Sequence, residues 1–251
     1  HRNQLKNMKN FNLILTILIF YFHILIAASS DPVFGENGMI VSTSKQASEA
    51  GIEILKKGGN AVDAAVAVGF ALAVTSSSNG NIGGGGFMVA AMTDGETFTL
   101  DYREKAPAAA HRDLFLNDSG NVVPGMSLFS RAGSGVPGTV DGLIRALADH
   151  GSGNITLRQA LAPAIRLAEK GFELSHYEAR RFNGYEGLFQ SNDAAAAIFI
   201  RKNNNPWKKG DKLVQRDLAK TLKRISKYGR DGFYTGPIAD LIVAEMKRGN
   251  G

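Results

Sequence analysis

Residues 60–74 read Asn-Ala-Val-Asp-Ala-Ala-Val-Ala-Val-Gly-Phe-Ala-Leu-Ala-Val, and residues 79–86 read Asn-Gly-Asn-Ile-Gly-Gly-Gly-Gly. After its polar start the first stretch is apolar nearly all round, which predicts a helix over 61–74 that is buried between layers and capped by Asn60. Glycine is costly inside a helix or a strand, so the second stretch predicts a backbone that bends sharply or lies very close to another segment. A buried helix followed by a glycine-rich bend is therefore the centre of the fold.

Other local patterns predict helices and strands on both sides of this centre. Residues 37–42 are typical of a short strand, and Ser44 begins a helix that ends before two glycines. Residues 87–93 and 96–102 predict two antiparallel strands, because the Asp94-Gly95 pair between them favours a two-residue type I′ turn.

The second half of the chain is predicted to be mainly helical. Two Ser/Thr-x-x-Glu/Gln patterns are typical of capping boxes, one group of apolar residues has helical spacing, and one proline suits a first helical turn. The residues that carry these patterns are Thr156 with Gln159, Ser175 with Glu178, Leu218 with Leu222 and Ile225, and Pro237.

The composition excludes several classes of protein. The 251 residues are 44% hydrophobic and 21% charged, which suits a globular domain and excludes a disordered, collagen-like or polytopic membrane protein. The 29 Lys and Arg exceed the 23 Asp and Glu only slightly, so no nucleic-acid partner is predicted. The sequence contains no Cys, which excludes disulfides, thiolate metal sites and a Cys nucleophile. Nucleophilic chemistry would need Ser or Thr, and no metal or cofactor site is predicted.

The N-terminus has the layout of a secretory leader. Residues 11–28 are uncharged and mostly apolar, cations precede them, and the small residues 27–30 end the segment. We predict that residues 1–30 are a signal peptide, with residues 1–7 upstream of a start at Met8, and that the remainder is periplasmic or secreted. An uncleaved membrane anchor whose following domain faces outside is the alternative.

Two features are candidates for binding chemistry. The glycine-rich bend could form a phosphate cradle, but Phe87 and Met88 follow it where a Walker loop needs Lys and Ser or Thr, so a tight bend is favoured. Arg103 stands where the second strand gives way to a loop, a place where sites are often built. It forms either a surface ion pair with Asp101 or Glu104, or a fork that binds a carboxylate through two hydrogen bonds.

The chain also contains the residue types of a hydrolase triad, but no Gly-x-Ser-x-Gly elbow accompanies them. We therefore assign solvated or capping roles to these side chains, which are Ser76, Ser77, Ser78, His111, His150 and His176.

Six blocks of sequence match one known family in their residues and in their order along the chain. They are Gly58-Gly-Asn-Ala-Val-Asp-Ala-Ala-Val-Ala-Val68, Gly80-Asn-Ile-Gly-Gly-Gly-Gly-Phe-Met88, Asp101-Tyr-Arg-Glu-Lys-Ala-Pro107, Val136-Pro-Gly-Thr-Val140, Leu161-Ala-Pro-Ala-Ile-Arg-Leu-Ala168 and Lys209-Gly-Asp-Lys-Leu-Val-Gln215. Together they resemble the γ-glutamyltranspeptidase family, and the shorter Phe233-Tyr-Thr-Gly236 makes the likeness to its bacterial members strongest. The resemblance runs from about Gly38 to the end of the chain.

The resemblance implies an α+β fold, the αββα sandwich of the N-terminal-nucleophile hydrolases, of which this chain supplies only the N-terminal part. It implies a precursor that cuts itself into a large and a small subunit, with the new N-terminal Thr of the small subunit as nucleophile and, through its amine, as base. That Thr attacks the γ-amide carbonyl of glutathione or a related γ-glutamyl donor, and the γ-glutamyl group then passes to water or an amino acid. No cofactor is implied.

The chain ends inside what corresponds to the large subunit, before the family's Thr-Thr-His junction, so residues 31–251 are interpreted as a partial large-subunit region. No catalytic residue is therefore expected in this chain, and the 251 residues alone are predicted to be inactive. By the resemblance, Arg103 is the one substrate-binding residue that carries over, and it holds the α-carboxylate of the donor. The alternatives are a non-enzymatic truncated relic and a β-lactam acylase-like amidohydrolase of the same architecture.

Overall fold

The computed structural model describes residues 32–202, 205–249 and 251. Residues up to Met39 separate from Ile40–Gly251 as a unit of their own, and residues 32–39, the part of that unit which the structure describes, contain no helix or strand. In chain order the elements are α1 (Lys45–Lys56), α2 (Ala61–Thr75), β1 (Phe87–Ala91), β2 (Thr97–Asp101), α3 (Met126–Phe129), a 3₁₀ turn (Arg131–Gly133), α4 (Thr139–His150), α5 (Leu157–Lys170), β3 (Phe172–Glu173), α6 (His176–Gly184), α7 (Glu186–Gln190), α8 (Asp193–Phe199), β4 (Lys212–Leu213), α9 (Arg216–Tyr228), α10 (Asp231–Tyr234) and α11 (Gly236–Lys247).

Helix α2 is the centre of the core, as the sequence predicts. Ten of its fifteen residues are buried, and it packs against α1, α4 and α5. A capping box closes its first turn: Asn60 Oδ1 accepts a hydrogen bond from Asp63 N at 2.9 Å, and Asp63 Oδ2 accepts one from Asn60 N at 2.8 Å. The predicted helix over 61–74 is confirmed and extends one residue further, to Thr75.

The buried carboxylate of Asp63 ties the start of α2 to the loop after α4. Its Oδ2 atom also accepts a hydrogen bond from Ser152 N at 3.0 Å. Across the same junction, Asn60 Nδ2 donates to His150 O at 2.9 Å. The dipole of α2 favours a negative charge at this position, because the carboxylate lies at the N-terminus of the helix. The buried helix is thereby held in place relative to α4.

The other predicted helices are confirmed. The side chain of Ser44 caps α1, and capping boxes begun by Thr156 and Ser175 precede α5 and α6. The helix predicted around Ile225 is α9, and the helix predicted to hold Pro237 in its first turn is α11. Helix α9 packs against α5, and the short antiparallel pair of β3 and β4 joins the end of α5 to the start of α9.

Strands β1 and β2 form the predicted antiparallel hairpin, but the predicted two-residue type I′ turn is wrong. Met92 N donates to Glu96 O at 2.7 Å, so the loop consists of residues 93–95, and Gly95 N donates back to Met92 O at 3.1 Å. A three-residue loop of this kind ends on a residue in the left-handed region, and Gly95 has a φ of +90°. Met92 therefore pairs with Glu96, where the predicted turn would pair Thr93 with Glu96, and the loop is one residue longer than predicted.

The two faces of this hairpin differ in their surroundings. Met88, Phe98 and Leu100 pack against the core on the inner face. On the outer face, Phe87 is 62% exposed and Val89 is 82% exposed. Large apolar side chains exposed together on a sheet face are normally covered by another layer.

The predicted strand at residues 37–42 is wrong, since none of these residues is in a strand. A strand needs a neighbour with which its backbone can exchange hydrogen bonds. In the part of the chain that the structure describes, no strand pairs with this segment.

Within the described ranges, no helix is both long enough and apolar enough to span a membrane. The predicted leader over residues 1–30 lies outside the described residues.

Candidate substrate-binding site

Arg103 lies just beyond the end of β2, and 69% of its side chain is exposed. Its Nε lies 3.9 Å from Glu104 Oε2, at the outer limit of an ion pair, and its guanidinium carbon lies 6.0 Å from the centre of the Phe87 ring. Asp101 accepts a hydrogen bond from the backbone N–H of Arg103 at 2.9 Å and not from its side chain. An exposed ion pair of this length contributes little to stability, so the guanidinium fork is open to a ligand. The predicted role of Arg103 stays a prediction.

The glycine-rich bend lies against the backbone on both sides of Arg103. Gly86 and Tyr102 exchange two backbone hydrogen bonds, of 3.3 and 3.0 Å. A Cβ on Gly85 would lie 2.6 Å from both Tyr102 O and Glu104 N, closer than side chains approach backbone. Close backbone approach therefore explains the glycine at this position without a phosphate ligand.

The start of α4 closes on the same segment. Gly138 N and Thr139 N both donate to Gly84 O, at 2.8 and 2.9 Å. Lys105 and Val136 exchange two backbone hydrogen bonds, of 3.2 and 2.7 Å. Three of the sequence blocks quoted above are thus joined by backbone hydrogen bonds around Arg103.

Tyr102 fills the space between these blocks. A Cβ on Gly138 would lie 2.0 Å from Tyr102 O, and one on Gly142 would lie 2.2 Å from Tyr102 Cγ. Contact with this tyrosine therefore leaves no room for a side chain at either glycine. Burial raises the pKa of the Tyr102 hydroxyl, which keeps it neutral at physiological pH.

A further segment supports the site from the C-terminal side. Tyr234 Oη donates to Pro137 O at 2.8 Å and accepts from Asp141 N at 3.2 Å. Arg230 Nε donates to Asp141 Oδ1 at 2.7 Å, and the guanidinium stacks 4.8 Å from the centre of the Tyr234 ring. Burial raises the pKa of Tyr234, so it also stays neutral. Nothing in the local sequence indicates this supporting role, because its partners lie far away in the chain.

These segments enclose a cleft of about 320 Å³ beside Arg103. Four cations and two acids supply its charged lining, and they are Arg103, Lys105, Arg145, Arg230, Asp101 and Asp141. Arg230 pairs with Asp141 at 2.7 Å, and Arg145 pairs with Asp149 at 3.3 Å. A cleft of this size with an excess of cations in its lining favours a small anionic ligand.

The serines and histidines considered for a triad are not brought together. Ser76, Ser77 and Ser78 line a separate groove of about 380 Å³, formed with α6, α7 and α8, and no histidine of the described ranges lines it. His150 instead stacks on Phe98, with ring centres 3.6 Å apart. Among the described residues, no group of three or more His, Cys, Asp or Glu is placed to hold a metal ion.

The sequence is similar to that of known proteins over most of its length. The family model described as Gamma-glutamyltranspeptidase matches residues 47–251. The chain is 47% identical over 238 residues to the glutathione hydrolase proenzyme of Pseudomonas sp. (strain A14), and 45% identical over 220 residues to that of Escherichia coli (strain K12). These alignments cover 94% and 88% of this chain but 40% and 38% of the relatives. The chain thus spans about two fifths of the length of these curated relatives.

The fold is also similar to solved structures. The structure of Helicobacter pylori gamma-glutamyltranspeptidase matches with a TM-score of 0.84 at 42% identity, over 88% of this chain and 63% of that one. A cephalosporin acylase from Bacillus halodurans matches with a TM-score of 0.72 over 88% of this chain and 43% of that one, and at 24% identity this likeness concerns the fold alone. The chain therefore supplies part of the αββα sandwich of the N-terminal-nucleophile hydrolases, an α+β fold. On the match of family model, sequence and structure, this chain belongs to the γ-glutamyltranspeptidase family.

Proposed function

We propose that this chain is part of an enzyme that hydrolyses or transfers the γ-glutamyl group of glutathione and related γ-glutamyl compounds. One observation carries the proposal: in a member of this family, the exposed fork of Arg103 lines a cleft in which cations outnumber acids among the charged residues. A γ-glutamyl donor presents a free α-carboxylate away from the bond that is cut. A planar guanidinium matches a carboxylate with two parallel hydrogen bonds, which fixes its direction as well as its charge.

The bond-breaking chemistry is assigned to the part of the relatives' length that this chain does not span. In this proposal the N-terminal Thr of a small subunit, cut from the same precursor, attacks the γ-carbonyl carbon and forms a γ-glutamyl-enzyme. Water or an amino acid then accepts the γ-glutamyl group. Arg103 holds the α-carboxylate so that the γ-carbonyl meets the nucleophile, because correct placement of the reacting carbon accounts for much of the rate.

The exposed outer face of the hairpin supports the proposal that the complete protein contains a further layer, which covers this face. Phe87 and Val89 are 62% and 82% exposed, and a sheet in a sandwich is covered on such a face. In the complete protein we assign this face to the interior, against the remainder of the precursor. The 251 residues alone are therefore expected to expose apolar surface, and because no Thr in them matches the nucleophile they are expected to lack γ-glutamyl transfer activity.

We also propose that residues 31–251 are a partial large-subunit region and that the leader over residues 1–30 directs export to the periplasm or the medium. The support for the leader is the apolar run with its small-residue exit, and the support for a partial region is that the chain spans about two fifths of the length of its curated relatives. Sequencing of the exported protein should find a start between Ala28 and Pro32. An intact leader in the membrane fraction would instead establish the anchor alternative.

The test of the activity uses the full-length protein that contains this chain, assayed with a chromogenic γ-glutamyl anilide. We expect two subunits on a denaturing gel and release of the anilide, while the separately purified 251 residues release none above a blank. A processed protein that releases no anilide would contradict the proposal. A protein that yields no second subunit and releases no anilide would favour the non-enzymatic truncated relic. Cleavage of a β-lactam side chain without any γ-glutamyl cleavage would favour the acylase alternative.

A further inference from the structure

We propose that Lys105 binds the second carboxylate of those γ-glutamyl donors that carry one, such as the glycine carboxylate of glutathione. It would thereby favour peptide donors over donors with a single carboxylate. The inference rests on the proposed function, in which Arg103 holds the α-carboxylate of the donor.

The backbone holds Lys105 close to Arg103. The segment that carries both residues is held by backbone hydrogen bonds of Tyr102 with Gly86 and of Lys105 with Val136. Residues two apart in a chain are separated by at most roughly 7 Å. Both side chains line the same cleft of about 320 Å³. A ligand held by Arg103 therefore lies within reach of the flexible side chain of Lys105.

Besides Arg103, Lys105 is the cation of this cleft that is available to a ligand. Arg230 and Arg145 are engaged with carboxylates at 2.7 and 3.3 Å, and Arg103 has its long contact to Glu104 at 3.9 Å. Lys105 has no ion pair within the described residues. Its ammonium therefore gives up no existing partner when it meets an anion.

The acids of the cleft do not neutralise Lys105. Asp141 is paired with Arg230 at 2.7 Å. The carboxylate of Asp101 is directed at the backbone N–H of Arg103, at 2.9 Å.

The chemistry of the two cations suits a donor with two carboxylates. Arg103 has a planar fork that fixes the orientation of one carboxylate, whereas Lys105 has a point-like charge on a flexible stem that tolerates variable distance. In a γ-glutamyl peptide the α-carboxylate is constant, but the C-terminal carboxylate varies in position with the length of the peptide. A rigid contact for the first and an adaptable contact for the second match that difference.

The test compares donors and variants in the processed full-length enzyme. The donors are glutathione, glutathione whose glycine carboxylate is an amide, and a γ-glutamyl anilide, which has the α-carboxylate alone. The variants are Lys105→Met, Lys105→Arg and, as a matched loss of charge outside the cleft, Lys56→Met at the exposed end of α1. Self-cleavage on a gel checks that each variant folds.

We expect Lys105→Met to raise the KM for glutathione roughly 5- to 30-fold with little change in kcat, and to leave both constants for the anilide within about twofold. In the wild type the KM for the amide donor should exceed the KM for glutathione by the same factor. In Lys105→Met the two KM values should be alike, as a closed double-mutant cycle requires. Lys105→Arg should keep most of the preference for glutathione, and Lys56→Met should change nothing.

Equal effects of Lys105→Met on glutathione and on the anilide, or no effect on either, would overturn the role of Lys105. A wild type that handles the amide as well as glutathione would overturn it without any variant. If the wild type cleaves none of the three donors, the proposed function itself is overturned. The two failures are therefore distinguishable.

Discussion

Both faces of the β1–β2 hairpin carry large apolar side chains, but the surroundings of the two faces differ. On the inner face, Phe98 and Leu100 pack against the core, and Tyr102 at the end of the hairpin fits against glycines that have no room for a side chain. On the outer face, Phe87 and Val89 are 62% and 82% exposed. The inner face thus contributes to the stability of this chain and holds the backbone at Arg103. On the outer face, Phe87 lies 6.0 Å from the guanidinium carbon of Arg103, but its exposed side chain and that of Val89 add little to stability until another layer covers them.

The largest effect on stability is expected at the inner contact with Tyr102. Gly142→Ala would place a Cβ 2.2 Å from Tyr102 Cγ, so either the ring or α4 must move. We expect the free energy of unfolding to fall by about 3 kcal/mol or more, measured by urea denaturation. The control is Gly187→Ala in α7, where a Cβ meets nothing within 4 Å and stability should be unchanged or slightly raised. Equal stability of the two variants would show that the inner contact is not close.

A smaller effect is expected from truncation of one side chain on each face. Leu100→Ala removes inner-face packing and should lower the free energy of unfolding by about 2 kcal/mol. Val89→Ala removes a side chain that is 82% exposed and should change it by less than about 0.5 kcal/mol. Both are measured by urea denaturation of the same chain. Equal losses at the two sites would contradict the comparison, because they would require the outer face to be packed as well.

The smallest effect is expected away from the hairpin, where charges join α1 to α5. Partial burial alone would raise the pKa of Glu53, but hydrogen bonds from Lys57 and Arg166 outweigh it and hold this pKa below its usual 4.5. Since the folded-state pKa is the lower one, the stabilisation is present above about pH 4.5 and is lost as the pH falls through the folded-state pKa. Because the group is partly exposed, we expect a contribution below about 1 kcal/mol.

Thermal unfolding from about pH 6 to about pH 3 measures this contribution. Glu53→Gln should lose less stability than the wild type on acidification. The loss caused by Gly142→Ala should be the same at both ends of the range, because that contact contains no acid. A pH-dependent Gly142→Ala effect would mean that charge, and not packing, governs the inner face.

Much of the scaffold could be predicted because its determinants are local. The capping boxes begun by Asn60, Thr156 and Ser175 each involve a residue only three positions further on, so the sequence alone identifies where the helices begin. The all-round apolar character of α2 likewise predicts its burial. The hairpin follows from the two strand-like runs on either side of Asp94-Gly95, although its loop has three residues and not two.

What could not be predicted depends on contacts between distant segments. The prediction of a strand at residues 37–42 is wrong because a local pattern says nothing about a pairing partner. The position of Arg103 after β2 follows from the sequence, but the fit of Tyr102 against Gly138 and Gly142 does not, since it joins separate blocks in space. The weakness of the ion pair between Arg103 and Glu104 is also a matter of side-chain geometry that residue types cannot supply.

The central claim is that Arg103 holds the α-carboxylate of a γ-glutamyl donor, and Arg103→Lys and Arg103→Ala test it most directly. Lys keeps the charge but lacks the fork, whereas Ala leaves the carboxylate unpaired and undirected. The measurement is kcat/KM for a γ-glutamyl anilide in the full-length enzyme, beside self-cleavage on a gel. The matched control is Arg112→Ala, since Arg112 is 95% exposed and has a similarly long contact, 3.7 Å, to the neighbouring Asp113.

We predict that Arg103→Lys lowers kcat/KM by the equivalent of about 1–3 kcal/mol and Arg103→Ala by more, because a misplaced carboxylate also misplaces the γ-carbonyl. Self-cleavage should survive both changes, since no substrate carboxylate takes part in it, and Arg112→Ala should behave as the wild type. Failure of the Arg103 variants to self-cleave would point to a structural ion pair. Near-normal kinetics in Arg103→Ala would contradict the assignment outright.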